Sequence, residues 1–175
     1  NLNAISEEFR TTNDQIAQGT KLLGDQDEIQ QKILESANRT RASYADTANV
    51  VSKLVQENSD LFSTVDEAIA FNDAATMLFK TAGKTNDQIA GLMEAINKSF
   101  AKGVVDSETM SQLLEQSPEA VALLNKRLGT TSDQLEDMVT DGKISLADLK
   151  GAFVDNAAEI EAAFAGTSYK ISDAL

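Results

Sequence analysis

The residues best spaced to do chemistry are carboxylates in the C-terminal half of the chain. Asp137 to Asp148 (DMVTDGKISLAD) has the length of a calcium-binding loop, with Gly142 at its turn and Asp137 and Asp141 as oxygen ligands. Val139 stands where such a loop needs an oxygen ligand, and Asp148 is shorter than the usual clamping glutamate. We therefore expect no metal site and keep Asp137, Asp141 and Asp148 as weak candidates only.

Two stretches resemble enzyme signatures without completing them. Leu78 to Thr85 (LFKTAGKT) ends like a phosphate-binding loop, but Leu78 replaces its first glycine and a helical pattern precedes it where a strand is required. Ser99-Phe-Ala-Lys102 fits the S-x-x-K motif of some acyl-transfer enzymes, whose companion motifs are missing. We interpret both as helix residues and expect no catalytic residue and no enzyme activity.

Carboxylates also recur at helical spacing. Asp133, Asp137 and Asp141 are four residues apart and would share one side of a helix, with Glu136 beside them. Such groups can bind magnesium or transfer protons, but on an exposed helix face they are ordinarily solvated charges. We expect the solvated role here.

The composition removes the commonest catalytic and cofactor chemistry. The 175 residues include no histidine and no cysteine, so the usual general base, thiol nucleophile and transition-metal ligands are missing. The 28 acids outnumber the 15 bases and give a net charge of −13, which disfavours nucleic acid and anionic membranes. Such a charge either keeps a crowded protein soluble or meets a basic partner. We expect no cofactor, no nucleic-acid binding and no membrane contact.

Capping residues divide the chain into short helices. Five pairs have the spacing of a helix N-cap and its third residue: Ser43 with Asp46, Thr64 with Glu67, Thr85 with Gln88, Thr131 with Gln134, and Ser145 with Asp148. Apolar residues recur three and four positions apart, as in Ile89, Leu92, Met93, Ile96 and Phe100. We predict an all-α fold, a single compact domain of about eight or nine short helices joined by short capped turns.

The helix pattern also predicts boundaries. We expect a linker or leading helix over residues 1–18, a helical domain over 19–166, and the start of a following segment over 167–175. The last long helix is predicted to begin after Ser145 and to end at Gly166. Because the chain begins at Asn1 rather than methionine, we expect a fragment of a longer protein.

The segment from Ser99 to Phe153 carries the most specific pattern. A helix end, an apolar residue, a new cap, a helix-opening proline, a Leu-Gly closure and a DGKI turn follow in order: Gly103, Val105, Asp106, Pro118, Leu128-Gly129 and Asp141 to Ile144. This order resembles the N-terminal region of bacteriophage tail tape measure proteins. The resemblance extends over roughly Gly19 to Phe164.

The resemblance implies a structural role in the virion tail. Proteins of that family set tail length, because the tube polymerises around an extended, largely helical protein. The implied partners are the tail tube protein, tail assembly chaperones, tail tip proteins and other copies of the chain. The implied location is the host cytoplasm during assembly and then the virion tail. The residues alone leave two alternatives, a soluble acidic helical adaptor and a weak divalent-metal-binding helical domain.

Overall fold

The structure is a computed structural model that describes residues 10–14, 16 and 25–174, with side chains up to residue 167. Nine helices lie between residues 25 and 174: α1 Gln26–Thr40, α2 Tyr44–Glu57, α3 Val65–Thr81, α4 Asn86–Lys102, α5 Ser107–Gln116, α6 Pro118–Leu128, α7 Ser132–Thr140, α8 Leu146–Val154 and α9 Ala157–Ala174. Residues 10–14 are helical as well, so the helix count slightly exceeds the prediction. No described residue lies in a strand, and the all-α class is confirmed.

The predicted caps fix where these helices begin. At α4 and α7 both bonds of the capping box form, between Thr85 and Gln88 and between Thr131 and Gln134. At α2 the Ser43 hydroxyl accepts the N–H of the third helical residue. Because these bonds satisfy donors that a helix start leaves free, the short helices are specified locally.

The end of the predicted last helix is wrong. The helix that begins after Ser145 is interrupted at Asp155 and Asn156, and a second helix, α9, runs on through Gly166 to Ala174. Gly166 does not end the helix, because an isolated glycine is tolerated within a helix at a modest cost. The predicted domain boundaries stay predictions, and Gly19 lies outside the described residues.

The chain forms two compact units, Asn1–Asp73 and Ala74–Leu175. In the first unit, α1 packs against α2. Phe62 and Phe71 are fully buried there, with ring centroids 5.6 Å apart. On α1, Ile33 is fully buried, whereas its neighbour Leu34 is 39% exposed.

In the second unit, α5 packs against α4, α6 and α7, and α6 packs against α7 and α8. The turns that precede α5 and α8 share one construction. Gly103 and Gly142 have φ of +85° and +67°, which favours glycine, and two residues later Val105 and Ile144 are buried. Each apolar residue is followed by the N-cap of the next helix, Asp106 or Ser145. The turns therefore anchor both helix starts in the core.

The Asp106 cap is expected to stabilise α5 except in strong acid. Its Oδ1 accepts the Thr109 N–H at 2.9 Å, and its Oδ2 accepts a hydrogen bond from Lys102 Nζ at 2.6 Å. Lys102 foremost, and then the Thr109 N–H, lower the Asp106 pKa from 3.8 to about 2. Because the folded-state pKa lies below the unfolded value, this stabilisation is present above pH 3.8 and is lost as the pH falls through about 2.

Asp106→Ala should therefore lower the free energy of unfolding by about 1 kcal/mol at neutral pH, as typical N-cap losses do. Urea unfolding of the variant and the parent gives this difference. The difference should shrink between pH 3.8 and pH 2 as the parent's carboxylate is protonated. A difference that stays constant down to pH 2 would contradict the assigned role of the charge.

Candidate protein-contact surface

The three weak metal candidates are not brought together by the fold. Asp137 and Asp141 are exposed, whereas the Asp148 carboxylate lies 3.2 Å from Nε of Arg127 on α6. Among the described residues, no three Asp or Glu side chains are grouped so that they could hold a metal ion. The DGKI turn serves instead to end α7 and begin α8, with the Ser145 hydroxyl accepting the Asp148 N–H at 3.1 Å.

The two enzyme-like stretches are parts of helices and turns. Ser99 is fully buried and its hydroxyl donates to the Thr109 hydroxyl at 2.7 Å, while Lys102 is exposed and bonded to Asp106. The serine and lysine of S-x-x-K are therefore committed to different partners. Gly83, in the stretch like a phosphate loop, has φ of +86° just after the end of α3.

A groove between α5 and α7 is the candidate protein-contact surface. It encloses about 270 Å³, and residues of both helices line it: Ser107, Met110, Ser111, Leu114, Glu136, Val139 and Thr140. Met110 and Val139 are buried and form its apolar floor, while Ser107, Ser111, Glu136 and Thr140 are exposed around it. We call this surface the acidic groove because its one charged lining residue is Glu136 and every charged residue of α5 and α7 is acidic.

Every charged side chain of helices α5 and α7 is negative. Their sequences contain five acids and no lysine or arginine: Glu108, Glu115, Asp133, Glu136 and Asp137. Within the described part of the chain, none of the five forms an ion pair. Because like charges repel, these carboxylates favour a cationic partner over the free state.

A second groove, between α4 and α5, is electrostatically different. It encloses about 280 Å³ and includes Glu94, Lys98, Lys102 and Asp106 in its lining. Lys98 lies 3.7 Å from Glu94, and Lys102 lies 2.6 Å from Asp106. Four of its charged lining residues are therefore paired within the protein, and Glu108, which also lines it, forms no ion pair among the described residues.

The sequence pattern identified carboxylates of α7 but not the acidic groove, whose lining contains none of Asp133, Asp137 and Asp141. The stripe of Asp133, Asp137 and Asp141 was visible from its four-residue spacing, and these residues are exposed as expected. The contribution of α5 was missed, because its packing against α7 is a tertiary contact. The one available signal was the absence of lysine and arginine from both segments.

Comparison with known proteins decides the family. The sequence profile described as "Tape measure protein" matches residues 2–175. The chain belongs to the tape measure protein family. This tape measure protein is also similar to the Mu-like prophage FluMu protein gp42 of Haemophilus influenzae (strain ATCC 51907 / DSM 11121 / KW20 / Rd), with 27% identity over 110 residues.

That alignment covers 62% of this tape measure protein and 16% of the Haemophilus protein, so it spans a small part of the relative. No solved structure matches the chain. The resemblance drawn from Ser99 to Phe153 is confirmed, and the match extends beyond the range expected. Family membership makes the protein a structural component of a phage tail, in a family that is structural rather than enzymatic. None of the described helices combines the length and apolarity that a membrane crossing requires.

Proposed function

We propose that this tape measure segment acts in tail length determination and tail assembly through protein–protein contacts. The family match over residues 2–175 is the observation that carries the proposal. The proposed partners are the tail tube protein, tail assembly chaperones, tail tip proteins and other copies of the chain. Assembly would take place in the host cytoplasm, and the protein would then remain in the virion tail.

A protein that sets tail length must be extended, and the described helices span a long distance only if they are placed end to end. An α-helix rises about 1.5 Å per residue, whereas both units of this chain are compact. We therefore propose that the segment either opens when it enters the tube or stays folded at one end. In both cases the folded form is what meets partners before the tube closes around it.

The acidic groove is the proposed docking site for a basic segment of a tail partner. Its apolar floor of Met110 and Val139 can contact the apolar side of an amphipathic helix, and Glu136 in its lining can pair with a cationic residue of that helix. The other acids of α5 and α7 add to the negative charge of the same two helices. Charge complementarity of this kind accelerates encounter and fixes orientation. The net charge of −13 adds attraction at longer range.

Neutralising the groove should therefore impair assembly. The variant E115Q/E136Q/D137N removes three exposed charges from α5 and α7, and the matched control E57Q/D60N/E161Q removes three exposed charges elsewhere. Each is introduced into the full-length protein, and assembled tails are counted by electron microscopy. We expect about tenfold fewer tails for the groove variant alone, the lower end of electrostatic effects on association.

The paired design separates docking from overall charge. Equal losses for the two variants would show that only net charge matters, and normal tail numbers for the groove variant would contradict docking at the groove. Circular dichroism of both purified chains checks that helix content is unchanged. Tail length is measured separately from tail number, so a failure of docking at this groove can be distinguished from a failure of the length-setting role.

A further inference from the structure

Side chains, rather than a proline or a glycine, hold the interruption between α8 and α9. Residues 155 and 156 are Asp and Asn, so neither a proline nor a glycine breaks the helix there. Asp155 has φ of −69° and ψ of −19°, which is right-handed helical backbone. The apolar series also continues through the break at spacings of three and four: Leu149, Phe153, Ala157, Ile160 and Phe164.

Only a small rearrangement separates the two helices from one. The Asp155 N–H still donates to the Gly151 carbonyl at 2.9 Å, as in an α-helix. The Asn156 N–H instead donates to the Phe153 carbonyl at 3.2 Å, one residue short of the helical partner. The Asn156 side chain takes over the vacated acceptor, with Nδ2 donating to the Ala152 carbonyl at 2.8 Å.

Two cationic side chains of α6, those of Lys126 and Arg127, contact the residues of this break. Arg127 Nη1 lies 2.5 Å from Asp155 Oδ2, and its Nε lies 3.2 Å from Asp148 Oδ1 on α8. Lys126 Nζ donates to Asn156 Oδ1 at 3.2 Å and lies 3.7 Å from Glu159 on α9. The pair therefore contacts α8, the break and α9 together, and we call it the Lys126–Arg127 clamp.

The Arg127 guanidinium of the clamp lies where Gly151 of α8 has no side chain. Gly151 is buried, and a Cβ built there would collide with the Arg127 guanidinium. The missing side chain lets the guanidinium lie against the helix, where it reaches the carboxylates on either side of Gly151. A glycine within a helix lowers helix stability by up to about 1 kcal/mol relative to alanine, so the space for the guanidinium reduces the local stability of α8.

We propose that the Lys126–Arg127 clamp is a conformational switch, which keeps α8 and α9 apart and whose release joins residues 146–174 into one continuous helix. Joining restores the backbone bond from Asn156 to Ala152 and gives partners to the free N–H groups at the start of α9. The clamp opposes it by holding Asp155 and Asn156 as a turn. This inference stands independently of the proposed function, because it concerns the isolated chain.

The absence of cysteine makes the test direct. Cysteines introduced at the exposed positions Ala147 and Ala165 of the full 175-residue chain can be spin-labelled, and their separation measured by pulsed electron resonance. In one continuous helix these positions are about 27 Å apart, from a rise of about 1.5 Å per residue. The clamped chain should show a shorter distance, and K126A/R127A should move most molecules to the helical distance.

Two further variants decide the result. Gly151→Ala should force the flexible Arg127 side chain to move without removing its charge, and it should shift the distance in the same direction. K98A/K143A removes two exposed lysines of the same unit and should leave the distance unchanged. A helical distance in the parent, or a parent-like distance in Gly151→Ala with its helix content intact, would overturn the proposal, even if K126A/R127A failed to fold.

Discussion

Replacing Phe153 by alanine should destabilise the second unit more than any other single truncation considered. The ring is 1% exposed and packs edge-on against Phe79, with centroids 6.0 Å apart. Removing a buried phenylalanine ordinarily costs about 3–5 kcal/mol, because transfer energy is lost and a cavity remains. Urea unfolding followed by circular dichroism measures the loss, which would be a large part of the stability of an ordinary domain.

A truncation at the surface provides the control. Leu34→Ala removes a side chain that is 39% exposed on α1, so little burial is lost. We expect less than about 1 kcal/mol for that change. A loss at Phe153 no larger than that at Leu34 would show that α8 does not pack as described.

Asp73→Ala should destabilise the first unit through a polar network rather than a cavity. The Asp73 carboxylate accepts a hydrogen bond from the fully buried Ser36 hydroxyl, and its Oδ2 lies 2.7 Å from Arg39 Nη2. These bonds tie α1 to α3. Losing the acceptor of a buried donor and the partner of an arginine should cost about 2–3 kcal/mol.

Asp73→Asn separates the charge from the hydrogen bonds. The amide oxygen can still accept from Ser36, so about half of the loss should be recovered. Amide hydrogen exchange along α1 locates the effect, which should be faster exchange near Ser36 in Asp73→Ala. Equal exchange in the alanine variant and the parent would contradict the role assigned to the network.

How much of the fold could be predicted follows from the range of each interaction. The Thr85 and Thr131 capping boxes form as predicted, because each involves residues only three apart. The break at Asp155 was not predicted, because the side chains that contact it, those of Lys126 and Arg127, come from another helix. The sequence pattern does not choose which of the adjacent residues Ile33 and Leu34 is buried, because tertiary packing decides how much of the apolar side of α1 is covered.

The candidate surface divides in the same way. The carboxylates of α7 were visible from their spacing, and their exposure agrees with the solvated role predicted for them. The groove itself needs α5 beside α7, which no local pattern specifies. The pairing of Asp148 with Arg127 was likewise invisible, because the two residues are 21 positions apart.

Tail length is the most direct test of the proposed ruler role. We would delete these 175 residues in frame from the full-length protein and measure tails by electron microscopy. If the segment contributes to the ruler as extended helix, tails should be shorter by up to about 260 Å, from the helical rise per residue. Tails of unchanged length and normal number would contradict both the ruler and the assembly roles.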